Sequence, residues 1–204
     1  MNKGAIRTRF KELLNRNDCT DALADTFIEQ SIARIQRTLR VPAMEKQQSY
    51  SLSAQTAEII VPSDLLEIIN IYHGFTVLVK IPLSEMTQHK SSGETGTPKY
   101  FSQIGEVISL FPEPSTGSVV VNYYGEFADM ASDTDENALA KFASDLIIYG
   151  ALVYAADNFF DVRAAEFRAT FAEMRSEIQE QADSAEQSGS FQVVRPVAVL
   201  NDGI

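Results

Sequence analysis

Residues 21–52 read DALADTFIEQSIARIQRTLRVPAMEKQQSYSL, and the apolar pattern changes period inside that stretch. Ala24, Ile28, Ile32, Ile35 and Leu39 recur at intervals of four, four, three and four, one apolar stripe on a helix. Pro42 ends it, and from about residue 46 the period shifts from near 3.6 to 2. A helix that yields to strands at a single proline predicts an α+β chain.

Upstream, Ile6, Phe10, Leu13 and Leu14 recur at helical spacing, Asn15 to Asn17 breaks the pattern, and Thr20 or Asp21 caps the second helix. Downstream, β-prone runs follow one another: Ser49–Ser53, Glu58–Val61, Leu66–Tyr72, Phe75–Ile81, Tyr100–Ile104, Val107–Phe111 and Val119–Tyr124. His73-Gly74 and Ile104-Gly105-Glu106 read as tight hairpins, and residues 112–117 as a longer loop. This spacing predicts an antiparallel sheet, sandwich or barrel. Leu83 to Lys90 interrupts it as a short helix, followed by a Gly/Ser/Thr-rich loop at 91–97.

After Glu126 the helical period returns. Residues 133–137 supply a cap and first-turn acids, and Leu139, Phe142, Leu146, Ile147, Gly150, Val153 and Tyr154 describe a largely buried helix over 139–157. Asp161 can cap a last helix over 162–182, with Ala164, Phe167, Phe171, Met174 and Ile178 as its apolar stripe. Ser184 to Ser190 has linker composition, and the chain finishes with the β-prone Phe191-Gln192-Val193-Val194-Arg195-Pro196-Val197-Ala198-Val199-Leu200. The expected architecture is a helical bundle from residues 1–44 and 126–185, an inserted antiparallel β-rich region at 45–125, and an extended tail at 186–204. Such a tail can add an edge strand to its own sheet or dock on a partner.

The 204 residues carry 17 basic and 28 acidic side chains, a formal charge of −11. Residues 1–40 are net +3 and residues 126–186 net −10, so the acid is concentrated near the C-terminus. Charge runs are commonly a solvated face; the sharper reading is a repulsive or steering surface. Arg34, Arg37 and Arg40, at i, i+3 and i+6, make a basic stripe suited to an acidic neighbour, with Glu166, Glu173 and Glu177 on the last helix as candidate partners. The overall charge disfavours non-specific nucleic-acid binding, which rests on Lys and Arg contacts to phosphates. One cysteine, Cys19, excludes an internal disulfide and a structural zinc cluster, and points to a reducing, cytosolic compartment. No apolar run is long enough for a membrane span, and no signal peptide follows Met1.

No catalytic template fits. His73 and His89 lack metal-pair spacing, and Gly93-Glu94-Thr95-Gly96 lacks the lysine of a phosphate loop. Asp133, Asp135 and Asn137 open like a calcium loop, but Ala138 replaces its glycine and Ser144 its bidentate glutamate. Cys19 sits between Asp18 and Asp21 with no adjacent histidine, which disfavours a thiolate. No enzyme activity and no cofactor are expected.

Taken in order, a helical opening, Val61-Pro62-Ser63-Asp64-Leu65-Leu66-Glu67, Gly96-Thr97-Pro98-Lys99-Tyr100, Ile108-Ser109-Leu110-Phe111-Pro112, Val121-Asn122-Tyr123-Tyr124-Gly125 and residues 143–152 resemble the tail adaptors, or head-to-tail connectors, of tailed bacteriophages, including the tail tubular protein A type. The resemblance covers roughly residues 5–180, and the order of the motifs carries it. It implies a structural virion protein of the tail or neck, assembled in the host cytoplasm. It further implies a ring, usually twelve-fold, that binds the portal protein, lines a channel for genomic DNA and presents a surface to tail nozzle, tail tube or fibre proteins. The expected docking arm is the tail, through Phe191, Val193, Val194, Arg195, Val197, Val199 and Leu200, contacting the portal or an adjacent subunit. A head-closure or tail-completion role is a close alternative. A β-sandwich carbohydrate-binding module, suggested by Tyr100, Tyr123 and Tyr124, is a more distant one.

Overall fold

The computed structural model describes residues 1–53, 58–114 and 116–188, with side chains to residue 185. Helix α1 (Lys3–Leu14) begins where the Asn2 carboxamide oxygen accepts a bond from the Ala5 N–H at 2.9 Å, and ends at Asn15 in the left-handed region. Thr20 caps α2 (Asp21–Thr38) in the same manner, through the Leu23 N–H. After a 3-10 turn at Pro42–Met44 come eight strands among the described residues: β1 (Glu45–Leu52), β2 (Glu58–Ile60), β3 (Leu65–His73), β4 (Thr76–Val77), β5 (Val79–Lys80), β6 (Tyr100–Ile104), β7 (Val107–Phe111) and β8 (Gly117–Gly125). Helix α3 (Leu83–Lys90) lies between β5 and β6. The chain closes with α4 (Ala138–Phe142), α5 (Ser144–Phe159) and α6 (Ala164–Ser188).

The strands form two four-stranded sheets, ordered β1-β8-β3-β4 and β2-β7-β6-β5. Leu52, Ile71, Val119, Val121 and Tyr123 of the first pack with Ile59, Phe101, Ile108 and Leu110 of the second in one buried cluster, so the insert is a sandwich. A larger cluster gathers Ile6, Phe10, Ala24, Ile28 and Ile35 from α1 and α2 with Leu146, Ile147, Ala151, Phe167 and Phe171 from α5 and α6. The two ends of the chain therefore share one helical core with the β-rich segment inserted between them, the expected α+β architecture.

Several local expectations are corrected. The run 75–81 is two strands in different sheets. The Leu78 N–H donates to the Ile71 carbonyl in the first sheet and the Val79 N–H to the Lys99 carbonyl in the second, while the Leu78 side chain is buried between them. Because α3 and the 91–99 segment form a crossover, β5 pairs in parallel with β6, whereas the other strand pairs among the described residues are antiparallel. The 91–97 loop is tied down: Gly96 donates to the Glu113 carbonyl at 2.8 Å and Glu113 to that of Glu94 at 3.1 Å. The helix expected over 139–157 is broken at Ala143, whose backbone (φ −140°, ψ 47°) leaves helical geometry without a proline or glycine to announce it. The cap of α4 is Asn137, within the expected 133–137 segment, accepting from the Ala140 N–H at 2.8 Å, but the first turn holds no acid, and Asp133 pairs with Arg7. Helix α6 continues through Ser188, past the expected linker start, because neither proline nor glycine occurs before Gly189.

Three helices pack tightly around Gly150. A Cβ there would run into the Ser31 hydroxyl and lie 2.9 Å from the Phe171 ring, while Ser31 Oγ, itself buried, donates to the Ile147 carbonyl at 2.9 Å. Gly150→Ala is therefore expected to cost about 1–3 kcal/mol by overpacking despite the better helix propensity of alanine. In thermal melts this lowers Tm by roughly 2–4 °C per kcal/mol. In a Ser31→Gly background the further loss should shrink; an equal loss in both backgrounds would place the clash elsewhere.

Candidate assembly surfaces

Helix α6 packs through Phe167, Phe171, Met174 and Ile178, and its two remaining flanks carry opposite charge. Glu166, Glu173 and Glu177 follow at intervals of seven and four, so they line one side of the helix. All three are exposed and form no ion pair among the described residues. Arg168 and Arg175, seven apart, lie on the opposite side. There they meet Arg34 of α2 around a shallow cavity of about 150 Å³ floored by Val153, Phe171 and Ala172. The Arg34 guanidinium lies 5.3 Å from the Phe171 ring centre and 6.0 Å from that of Tyr154, within reach of both ring faces. Arg168 pairs with Asp157, and Arg175 forms no ion pair among the described residues.

The expected stripe of three arginines is not continuous. Helix α2 ends at Thr38, so Arg40 leaves the helical face: its Nε donates to Glu67 Oε2 at 2.8 Å and its Nη1 to the Gln36 and Leu39 carbonyls. Arg40 thus ties the bundle to β3, a role within the chain. Arg37 donates to the Ala33 carbonyl on its own helix and stays exposed. The neighbours of Arg34 on this surface, Arg168 and Arg175, were hidden in sequence because 134 and 141 positions separate them from it. The tail residues Phe191, Val193, Val194, Arg195, Val197, Val199 and Leu200 lie outside the described residues.

Two apolar tips had no signal in the periodicity. Phe160 at the end of α5 is 93% exposed with φ 52°, a conformation that favours glycine, and Val162 is 97% exposed. Between them Asp161, 9% exposed, accepts bonds from the Arg163 backbone and guanidinium. Arg163 in turn donates to the Leu13 and Leu14 carbonyls at the end of α1. These bonds hold the Asp161 carboxyl down at about 2. Phe75, at the β3–β4 turn, is another exposed aromatic, wholly solvent-facing.

The three tyrosines that raised a carbohydrate surface face inward. Tyr123 is buried with its hydroxyl donating to Asp64 at 3.0 Å, Tyr124 packs on the helical core, and Tyr100 stacks on His89. Cys19 is buried, and burial first, then the Asp18 and Asp21 charges, push its thiol up despite Lys11 and Arg16 nearby. Among the described residues no group of His, Cys, Asp and Glu side chains could hold a metal ion, and no helix is long and apolar enough to cross a membrane.

The described surface combines segregated charge on α6 with exposed apolar tips at Phe75, Phe160 and Val162. The family model for SU10 adaptor protein matches residues 1–197. This chain belongs to the SU10 adaptor protein family. The match identifies a structural adaptor of a phage particle, the class that the ordered motifs resemble, and does not extend to the tail tubular protein A type. A search of curated proteins gave no match. An adaptor works by binding other head or tail proteins, which fits the two charged flanks of α6.

The low carboxyl pKa of Asp161 has a direction in pH. Its folded value of about 2 lies below the ordinary value near 3.9, so the stabilisation is present above about pH 4 and lost as pH falls toward 2. Asp161→Asn should lower the urea midpoint at pH 7 and flatten its decline between pH 4 and 2.5. A midpoint that falls as steeply as in the unsubstituted chain would show that Asp161 does not carry this acid sensitivity.

Proposed function

We propose that this adaptor forms a ring between the portal and the tail, of about twelve copies, with neighbouring subunits joined head to tail. Contact of that kind needs two different complementary surfaces on each subunit. The observation that carries the reading is the division of α6: Glu166, Glu173 and Glu177 on one side, and Arg168 and Arg175 with Arg34 on the other. The acids of one copy meet the arginines of the next, with Arg37 at the rim. Arg40, part of the expected set, is engaged with Glu67 and contributes by holding the bundle and sandwich together.

The helices form the ring body and the β-sandwich presents a surface to tail nozzle, tail tube or fibre proteins. Charge concentrated at −10 over residues 126–186 supports a channel that lets genomic DNA pass without holding it. The tail from Phe191 to Leu200 acts as an arm onto the portal or a neighbour. The chain works as a virion component at the neck, after assembly in the host cytoplasm, and performs no catalysis.

Native mass of the chain, alone and mixed with the portal ring of the same phage, tests the reading. Stoichiometric addition to the ring is expected and gives the copy number; a monomer that ignores the portal overturns the ring and leaves a head-closure or tail-completion role. Deleting residues 187–204 should abolish addition while leaving the melting curve intact, and normal addition by the shortened chain would remove the arm. Arg168→Glu with Arg175→Glu should weaken assembly, and Glu173→Arg with Glu177→Arg in the same chain should restore it. Assembly by the doubly reversed arginine variant with unchanged salt dependence would remove the charge contact.

A further inference from the structure

The four sheet edges are not alike. Strands β4 and β5 have two residues each and β2 has three, with the Lys90 amine bound to Glu58 on it at 3.2 Å. Short and charge-covered edges are the usual protection against pairing with another chain. Strand β1 differs: it has eight residues, pairs with β8 in unbroken register from Glu45↔Tyr124 to Leu52↔Gly117, and carries no proline or bulge. Its charges sit at one end, Glu45 and Lys46; the rest is Gln47-Gln48-Ser49-Tyr50-Ser51-Leu52. On its far side no strand pairs with it among the described residues. In an antiparallel pair, alternate residues of the outer strand direct N–H and C=O groups away from the partner.

The last turns of α6 lie close by. Helix α6 reaches the Glu45 end of β1: Gln179 exchanges hydrogen bonds with the Arg40 backbone at 2.9 Å in each direction, and Asp183 lines one small cavity with Pro42 and Glu45. Sixteen residues, 189–204, follow α6, enough for an extended reach of about 50 Å against roughly 26 Å for β1. Their sequence suits an edge strand. Phe191, Val193, Val197 and Val199 alternate, and Pro196, which lacks an N–H, is tolerated where its missing donor faces solvent.

We infer that the outer edge of β1 is the receptor for the Phe191–Leu200 segment of a second copy, added as an antiparallel strand. The occupant is a neighbour's tail for a geometric reason. Because α6 delivers its own tail at the Glu45 end, that tail could follow β1 only in parallel, in a sheet whose three pairings are all antiparallel. A neighbour's tail enters from the Leu52 end, where Tyr50 and Leu52 border the sandwich core and offer apolar contact to its valines. Each copy would then donate one tail and receive another, a head-to-tail exchange that closes in a ring. The inference rests on the ring reading above and names the acceptor of the arm.

Hydrogen exchange of the full chain over a range of protein concentrations tests it. Exchange at alternate amides of residues 47–52 should slow by about tenfold or more as concentration rises, in step with native mass. A full-length variant with Val193→Asp and Val197→Asp should lose that dependence. Protection that is independent of concentration would assign the edge to the chain's own tail and overturn the inference. Unprotected β1 amides in assemblies whose mass has grown would overturn it as well. Stoichiometric addition to the portal ring without β1 protection would sink this inference and leave the ring standing, whereas failure to join the portal would sink the ring reading itself.

Discussion

Three helices from opposite ends of the chain meet where Gly150 has no side chain. The Ser31 hydroxyl fills that space and bonds to the Ile147 carbonyl, and the Phe171 ring closes the other side. Any larger residue would push α2 and α6 away from α5 and open the cluster that also holds Ile28, Ile35 and Leu146. The spacing of α2 from α6 in turn brings Arg34 to Arg168 and Arg175. The charged surface is thus a consequence of one close backbone approach.

A second constraint holds the sandwich to the bundle. The Lys46 amine bonds to Asp64 at 2.6 Å and to the Glu126 carbonyl at 2.7 Å, crossing a gap in which a Cβ on Gly125 would lie 2.7 Å from the lysine chain. Asp64 also accepts from Tyr123, and the resulting bonds keep its carboxyl low against the opposing effect of its burial, which is the largest single influence on it. The Phe127 N–H donates to the Gln36 carboxamide at 2.6 Å, so the returning chain is clamped to α2 as soon as β8 ends. With Arg40 on Glu67, these bonds tie the β-rich insert to the helical body.

The acidic side chains divide into two groups by their partners. Asp133 and Asp25 are neutralised by Arg7, and Asp161 by Arg163, so these acids consolidate the fold. Glu166, Glu173 and Glu177 are left facing solvent without such partners among the described residues. An exposed carboxylate gains little from a neighbour in its own chain, and a desolvated contact with another molecule can use it more fully. Membership in an adaptor family and this distribution point the same way.

Much of the fold was legible in one dimension because it rests on local periodicity. The stripe from Ala24 to Leu39, the proline at 42 and the return of helical spacing after Glu126 specify bundle, insert and bundle again, and Thr20 and Asn2 cap as side-chain chemistry requires. The split of residues 75–81 at Leu78 was not legible, since an unbroken β-prone run does not reveal that its backbone bonds change partners from Ile71 to Lys99. Nor was the break at Ala143 or the loss of Arg40 from the arginine stripe, which depends on where α2 stops and where Glu67 lies. The meeting of Arg34 with Arg168 and Arg175, and the lack of a strand beside the outer edge of β1 among the described residues, belong to the same class. Periodicity records which face of an element is buried; only the tertiary structure decides which other element covers it, because that is a long-range choice made by packing.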